Sequence, residues 1–109
     1  MKLEARIATR LREAREEAKL TLEALGVAAG IEEETAKVRM HQYEQGKHQP
    51  PYAMLERLAE VLRKPVLWFV CDEGQKSVVL AIEALSEAEL GVMELYAKQL
   101  LEGRTTETR

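Results

Sequence analysis

The sequence predicts an all-α chain, with five helices over residues 1–73 and a helical extension over residues 74–109. Three observations predict it. Leu, Ala, Glu, Lys and Arg far outnumber the aromatic residues and Thr, which favours helix over strand. Apolar residues recur every three or four positions, as in Ile7, Leu11, Ala14 and Ala18, and again in Leu90, Met93, Ala97 and Leu100. The stretch 21–46, TLEALGVAAGIEEETAKVRMHQYEQG, is punctuated as two helices joined by a glycine-bearing turn, a helix-turn-helix arrangement. A chain of 109 residues has room for one modest core, and no sheet is expected.

The first helix is expected over residues 4–19. Arg15 borders its apolar stripe, so the side chain should be partly buried and require a carboxylate. Arg12 and Glu16 attract across one turn and Glu13 and Glu17 repel, both as parts of a solvated face. Thr21 begins the second helix, its hydroxyl accepting from an otherwise unpaired N–H of the first turn. Gly26 gives that helix a side without a side chain, and Gly30 supplies the left-handed residue that ends it.

In the third helix, at about 3.6 residues per turn, Ala36, Met40 and Tyr43 form the core-facing seam. Glu34, Val38, His41, Gln42 and Gln45 lie opposite, with Lys37 and Arg39 on the flanks. Glu44 falls close enough to the first helix to meet Arg15. Pro50 and Pro51 bar helix before them, so Lys47 and His48 sit in a loop and a fourth helix starts near Pro51. Met54, Leu55, Leu58, Ala59, Val61 and Leu62 face its core side, and Arg63 and Lys64 suit its C-terminal dipole. Pro65 opens a short buried helix carrying Trp68 and Phe69.

A change of composition at 72–76, DEGQK, marks a boundary. Beyond it come Val78, Val79, Leu80, Ile82 and Leu85, then a capping box at Ser86 to Glu89 and a last helix running to about Glu102. Residues 103–109 are expected to fray. The apolar surface of residues 78–101 must be covered either within the chain or by a second subunit.

Several classes are excluded. The longest apolar run, Val66 to Cys71, is too short to cross a bilayer, and the start MKLEAR has no signal-peptide core, so a cytoplasmic location is expected. The single cysteine, Cys71, reads as a buried small hydrophobe. No catalytic, metal or cofactor constellation is visible: His41 and His48 stand without ligands at metal spacing, and Ser77 and Ser86 are explained by helix starts. No enzyme, no cofactor and no small-molecule ligand are therefore expected. The net charge of −3 is uninformative, since residues 1–48 balance nine Lys or Arg against nine Asp or Glu.

From Ile7 to Val70 the chain resembles the phage repressor and Cro type helix-turn-helix domain, the XRE family. The resemblance rests on an ordered set: Leu11 and Arg15, Leu20 and Thr21, Leu25, Gly26, Gly30 and Ile31, then Tyr43-Glu44-x-Gly46. Pro50 or Pro51, Leu55, Leu58, Ala59, Leu62, Pro65, Trp68 and Phe69 continue it. The resemblance implies a five-helix repressor-like fold, a structural pair between Arg15 and Glu44, and sequence-specific binding of double-stranded DNA by a homodimeric transcriptional regulator, expected to be a repressor. It departs in three places. About four extra residues, among Glu32 to Thr35, separate Gly30 from Glu44. Leu22 stands where a DNA-touching glutamine is common, and Lys19 where glycine is frequent.

On this reading Val38, His41, Gln42 and Gln45 are the base-reading candidates, with glutamine suited to adenine and valine to a thymine methyl group. Lys37, Arg39, Lys47 and His48 are the phosphate-binding candidates, His48 being equally explicable as a solvated loop residue. Glu32 to Glu34 either suit the helix dipole away from DNA, or Glu34 accepts from a cytosine amino group. The alternative function is a protein-interaction module on the same fold, antitoxin-like or an adaptor, with weak or no DNA binding.

Overall fold

A computed structural model describes residues 2–106, with side chains to residue 104. The described residues are helical with no strand: α1 Leu3–Glu17, α2 Leu22–Ala28, α3 Glu33–Glu44, α4 Tyr52–Leu62 and α5 Val66–Val70. A 3-10 turn, Glu73–Gln75, then leads into α6 Lys76–Glu83 and α7 Glu87–Thr106. The first five helices enclose one core, in which Phe69, Leu11, Leu25, Met40 and Leu58 are wholly buried. Trp68 and Phe69 meet edge to face at 5.0 Å, closing the core beneath α1.

Each of the first four helices ends in the same way. A left-handed residue follows the last turn, at Lys19 (φ 59°), Gly30 (φ 99°), Gly46 (φ 76°) and Arg63 (φ 58°). The next residue's N–H then reaches back to a last-turn carbonyl: Leu20 to Arg15, Ile31 to Gly26, Lys47 to Gln42 and Lys64 to Ala59, at 2.9–3.1 Å. This bond satisfies carbonyls that the helix would otherwise leave open and turns the chain sharply. At Lys19 and Arg63 an ordinary side chain adopts the conformation, at a cost of about 1–2 kcal/mol each.

Helices α2 and α3 touch more closely than any other pair. Gly26 permits this, because a Cβ there would lie 2.9 Å from the Ala36 Cβ and 3.2 Å from the Ala36 carbonyl oxygen. Only Ile31 and Glu32 separate the Gly30 turn from α3, so Glu33, Glu34 and Thr35 form its first turn. Glu33 and Glu34 lie in that turn, where the dipole favours them.

The extension and its attachment to α1 add three features. The last helix continues through Gly103 to Thr106, because no proline or left-handed residue interrupts it; the expected fraying of 107–109 lies outside the described residues. Glu13 and Glu17 are more than a solvated face: Lys76 Nζ reaches Glu13 at 2.8 Å and Lys64 Nζ reaches Glu17 at 2.9 Å. Glu13 therefore anchors α6, and its bond keeps the Lys76 ammonium protonated to higher pH than usual. Finally, the described side chains of α7 are exposed from Glu87 to Arg104, including Leu90, Met93, Tyr96, Leu100 and Leu101. The projecting helix gives a radius of gyration of 17.3 Å, against about 13 Å for a compact chain of this size.

Gly26→Ala should destabilise the fold by about 1–3 kcal/mol, since Ala36 is held on both sides and cannot retreat. Lys19→Gly should leave stability unchanged or raise it by up to about 1 kcal/mol. Urea unfolding followed by helical circular dichroism checks both, and a Gly26→Ala variant as stable as its parent would refute the close-approach argument.

Candidate nucleic-acid interface

Helix α3 is fixed from three sides. Its seam, Ala36, Met40 and Tyr43, is buried in the core. Its first turns press on Gly26 of α2. Its last residue, Glu44, is held by α1, where Arg15 donates from Nε to Oε2 at 2.7 Å and from Nη2 to Oε1 at 3.1 Å. The third donor of Arg15, Nη1, bonds the Leu20 carbonyl at 2.9 Å. The Glu44 side chain is only 4% exposed, so Arg15 rather than water is its main polar partner. The same bond to Glu44, opposing the effect of burial, raises the Arg15 pKa above its ordinary value.

With the seam fixed, the opposite face of α3 is presented outward. Val38 is 60% exposed, His41 is exposed and Gln42 is half-buried. These three line a cleft of about 510 Å3 together with Lys37, Lys47 and Leu22, the first residue of α2. No carboxylate is among the lining residues. A second depression, lined by Arg15, Thr21, Leu22, Glu23 and Lys37, shares Leu22 and Lys37 with the first and extends the concavity along the start of α2. Thr21 caps α2 there, its hydroxyl accepting from the Ala24 N–H at 3.0 Å.

The expected site residues are not all brought together. Lys37, Val38, His41, Gln42 and Lys47 share the cleft. Arg39 and His48 are exposed but do not line it, and Gln45, which follows the last residue of α3, lines a separate depression with Lys2, Glu4 and Thr9. Glu32, Glu33 and Glu34 are exposed at the front of α3 and likewise outside the cleft.

Among the described residues the cations around α3, Lys37, Arg39 and Lys47, lack carboxylate partners, as do Lys2, Lys19, Arg63 and Arg104 elsewhere. Arg6, Arg10, Arg12, Arg15, Lys64 and Lys76 all meet carboxylates. Arg57 donates to the Ala29 carbonyl at the end of α2. Lys37, Arg39 and Lys47 are exposed on the α3 side of the molecule, although the chain as a whole is acidic.

One structural residue escaped the sequence reading. Arg10 is 3% exposed, donates to the Trp68 carbonyl at 2.6 Å and pairs with Glu73 at 3.5 Å. Its position on the flank of the α1 stripe opposite Arg15 was the available signal. Among the described residues no group of three or more His, Cys, Asp or Glu side chains is placed to hold a metal, and no helix is long and apolar enough to cross a membrane.

Two helices joined through a glycine turn, the second with its polar face outward, define a helix-turn-helix protein. Residues 6–65 match the helix-turn-helix domain family, and the chain belongs to it. Among solved structures, the chain is similar to the crystal structure of the transcriptional regulator BswR, with 32% identity and a TM-score of 0.74 over 88% of this chain and 96% of that one. No curated protein matches.

Arg15→Met should destabilise the domain by about 3–5 kcal/mol, because it leaves a buried carboxylate without its cation. Adding Glu44→Leu should recover a large part of that loss. A double-mutant cycle on unfolding free energies checks this, and strictly additive losses would show that the two side chains do not act as a pair.

Proposed function

We propose that the chain is a DNA-binding transcriptional regulator of the phage repressor and Cro (XRE) type, acting in the cytoplasm as a homodimeric repressor. The observation that carries this reading is the carboxylate-free cleft on the outward face of α3, bordered by Lys37 and Lys47 without intrachain ion pairs. A helix about 10–12 Å across matches the width of the major groove, and cations at its margins match the phosphates beside it. Helix α3 is the element that enters the groove. His41 and Gln42 read base edges, Val38 offers apolar contact, and Lys37, Arg39, Lys47 and His48 hold phosphates. Gln45, set apart from the cleft, is the base-reading candidate with least support. The acidic first turn of α3 is directed by its own dipole and carries no contact in this scheme.

The likeness to a transcriptional regulator over nearly the whole chain supports the regulatory role. The exposed stripe Leu90, Met93, Ala97 and Leu100, broadened by Val92, Tyr96 and Leu101, supports a second copy as the cover of α7. Two α3 helices related by a twofold axis then meet half-sites about 34–36 Å apart.

Duplexes selected from a random pool, with affinity followed by fluorescence anisotropy, provide the test. Gln42→Ala should cost about 1–3 kcal/mol on the preferred sequence only, whereas Lys47→Ala should weaken all duplexes alike and flatten the salt dependence. Absence of binding to any duplex at low salt would favour the protein-interaction module instead. Separately, Leu100→Glu alters a residue exposed in the single chain, so helicity should persist while native mass falls from dimer to monomer. A parent protein that is already monomeric at micromolar concentration would remove α7 as the dimer element.

A further inference from the structure

The cleft beside α3 has an apolar floor formed by two helices. Leu22 enters from the first position of α2, half-buried against the core, and Val38 stands beside it on α3. Around them lie His41, Gln42, Lys37 and Lys47. Leucine and valine can neither donate nor accept a hydrogen bond. Any base edge pressed against them through an N7, O6 or O4 acceptor, or an amino donor, would lose water without a replacement, which is unfavourable. The major groove presents one group without that demand, the methyl at C5 of a pyrimidine. The cations at the margin give the cleft the charge that duplex DNA requires, and His41 and Gln42 can bond the edges of neighbouring bases.

We propose that Leu22 and Val38 form a reader of the pyrimidine C5 methyl group, supplied by thymine or by 5-methylcytosine, and so determine part of the sequence preference. The inference rests on the DNA-binding reading above and narrows it to a chemical feature of the operator. Leu22 is its distinctive residue: a polar side chain at that position would hydrogen-bond the DNA, and this one reads only shape and methylation. Burial of one methyl group corresponds to about a fourfold change in affinity.

The test uses the full chain and the duplex that it prefers. Each thymine is replaced singly by deoxyuridine, which removes the methyl and keeps every hydrogen-bonding group; each cytosine is separately replaced by 5-methylcytosine. A loss of about three- to fivefold at one or two uridine positions identifies thymine as the source, and a matching gain at a methylated cytosine identifies the modified base. Val38→Ala, at an exposed position, should reduce either discrimination while the protein stays folded and still binds. Leu22→Ala should do the same, with helical circular dichroism confirming the fold. A duplex that binds tightly yet is indifferent to every methyl overturns this inference and leaves the DNA-binding reading intact. Undiminished discrimination in both variants overturns the residue assignment, and failure to bind any duplex overturns the underlying reading as well.

Discussion

The contact between Arg15 and Glu44 fixes the end of α3 against α1, and with it the outward face of α3. A guanidinium is a flat fork, and here all three of its nitrogens are engaged: two on the Glu44 carboxylate and one on the Leu20 carbonyl. One side chain thereby ties the middle of the molecule to the end of α3 and to the junction between α1 and α2. A lysine could supply the charge but not the geometry, because an ammonium has no fixed plane with which to register two partners. The pair is desolvated, so its contribution lies more in specifying the arrangement than in stabilising it; a well-packed apolar pair could match its energy. What the apolar pair would lack is the third bond, which sets the α1–α2 corner at the same time.

Close approach at Gly26 complements that bond. The ion pair holds the far end of α3, and the missing side chain on α2 lets the near end settle onto Ala36. Together they oppose rolling of α3, which helps to hold the residues on its outer face beside Leu22 and Lys47. The four left-handed helix ends serve the same purpose in the connections: each reverses the chain within one or two residues, leaving little slack between consecutive helices. That two of these positions are Lys19 and Arg63 shows tertiary packing overriding local preference, since the core on either side of each corner is already committed.

The repeating features were legible in the sequence because they are periodic. The seam of Ala36, Met40 and Tyr43, the cap at Thr21, the capping box at Ser86 and the reversal at Gly30 each follow from spacing and residue type alone. Arg15 and Glu44 were legible for a different reason: each borders a core stripe with a charge that needs a partner. The same logic applied to Arg10, yet its partners are the Trp68 carbonyl and Glu73, 58 and 63 residues away, and nothing local marks them. The roles of Glu13 and Glu17 were hidden likewise, since an exposed carboxylate in a helix looks the same whether it faces water or a distant lysine. At the candidate interface, helical spacing puts Val38, His41 and Gln42 together but also includes Gln45, which continues the helical backbone one residue past α3 and lines another depression. Leu22 departs from the resembled pattern in residue type, but its place in the cleft depends on how α2 and α3 cross.

Helix α1 links the two ends of the molecule. On one flank Arg15 holds the end of α3; on the other, Arg6, Arg10 and Glu13 hold Asp72, Glu73 and Lys76 at the base of the extension. Trp68 sits at the centre of that second cluster, with Lys64 at 4.9 Å, Lys76 at 5.0 Å and Arg10 at 5.7 Å from its ring. Three cations on one indole would repel one another without carboxylates, and Glu17, Glu13 and Glu73 are placed on them. The consequence is a division of charge by location. Several ion pairs anchor the extension and the end of α3, whereas Lys37 and Lys47 at the cleft meet no carboxylate among the described residues. Net charge therefore carries no information about partners here, because carboxylates such as Glu13, Glu17 and Glu73 are engaged with cations away from the cleft.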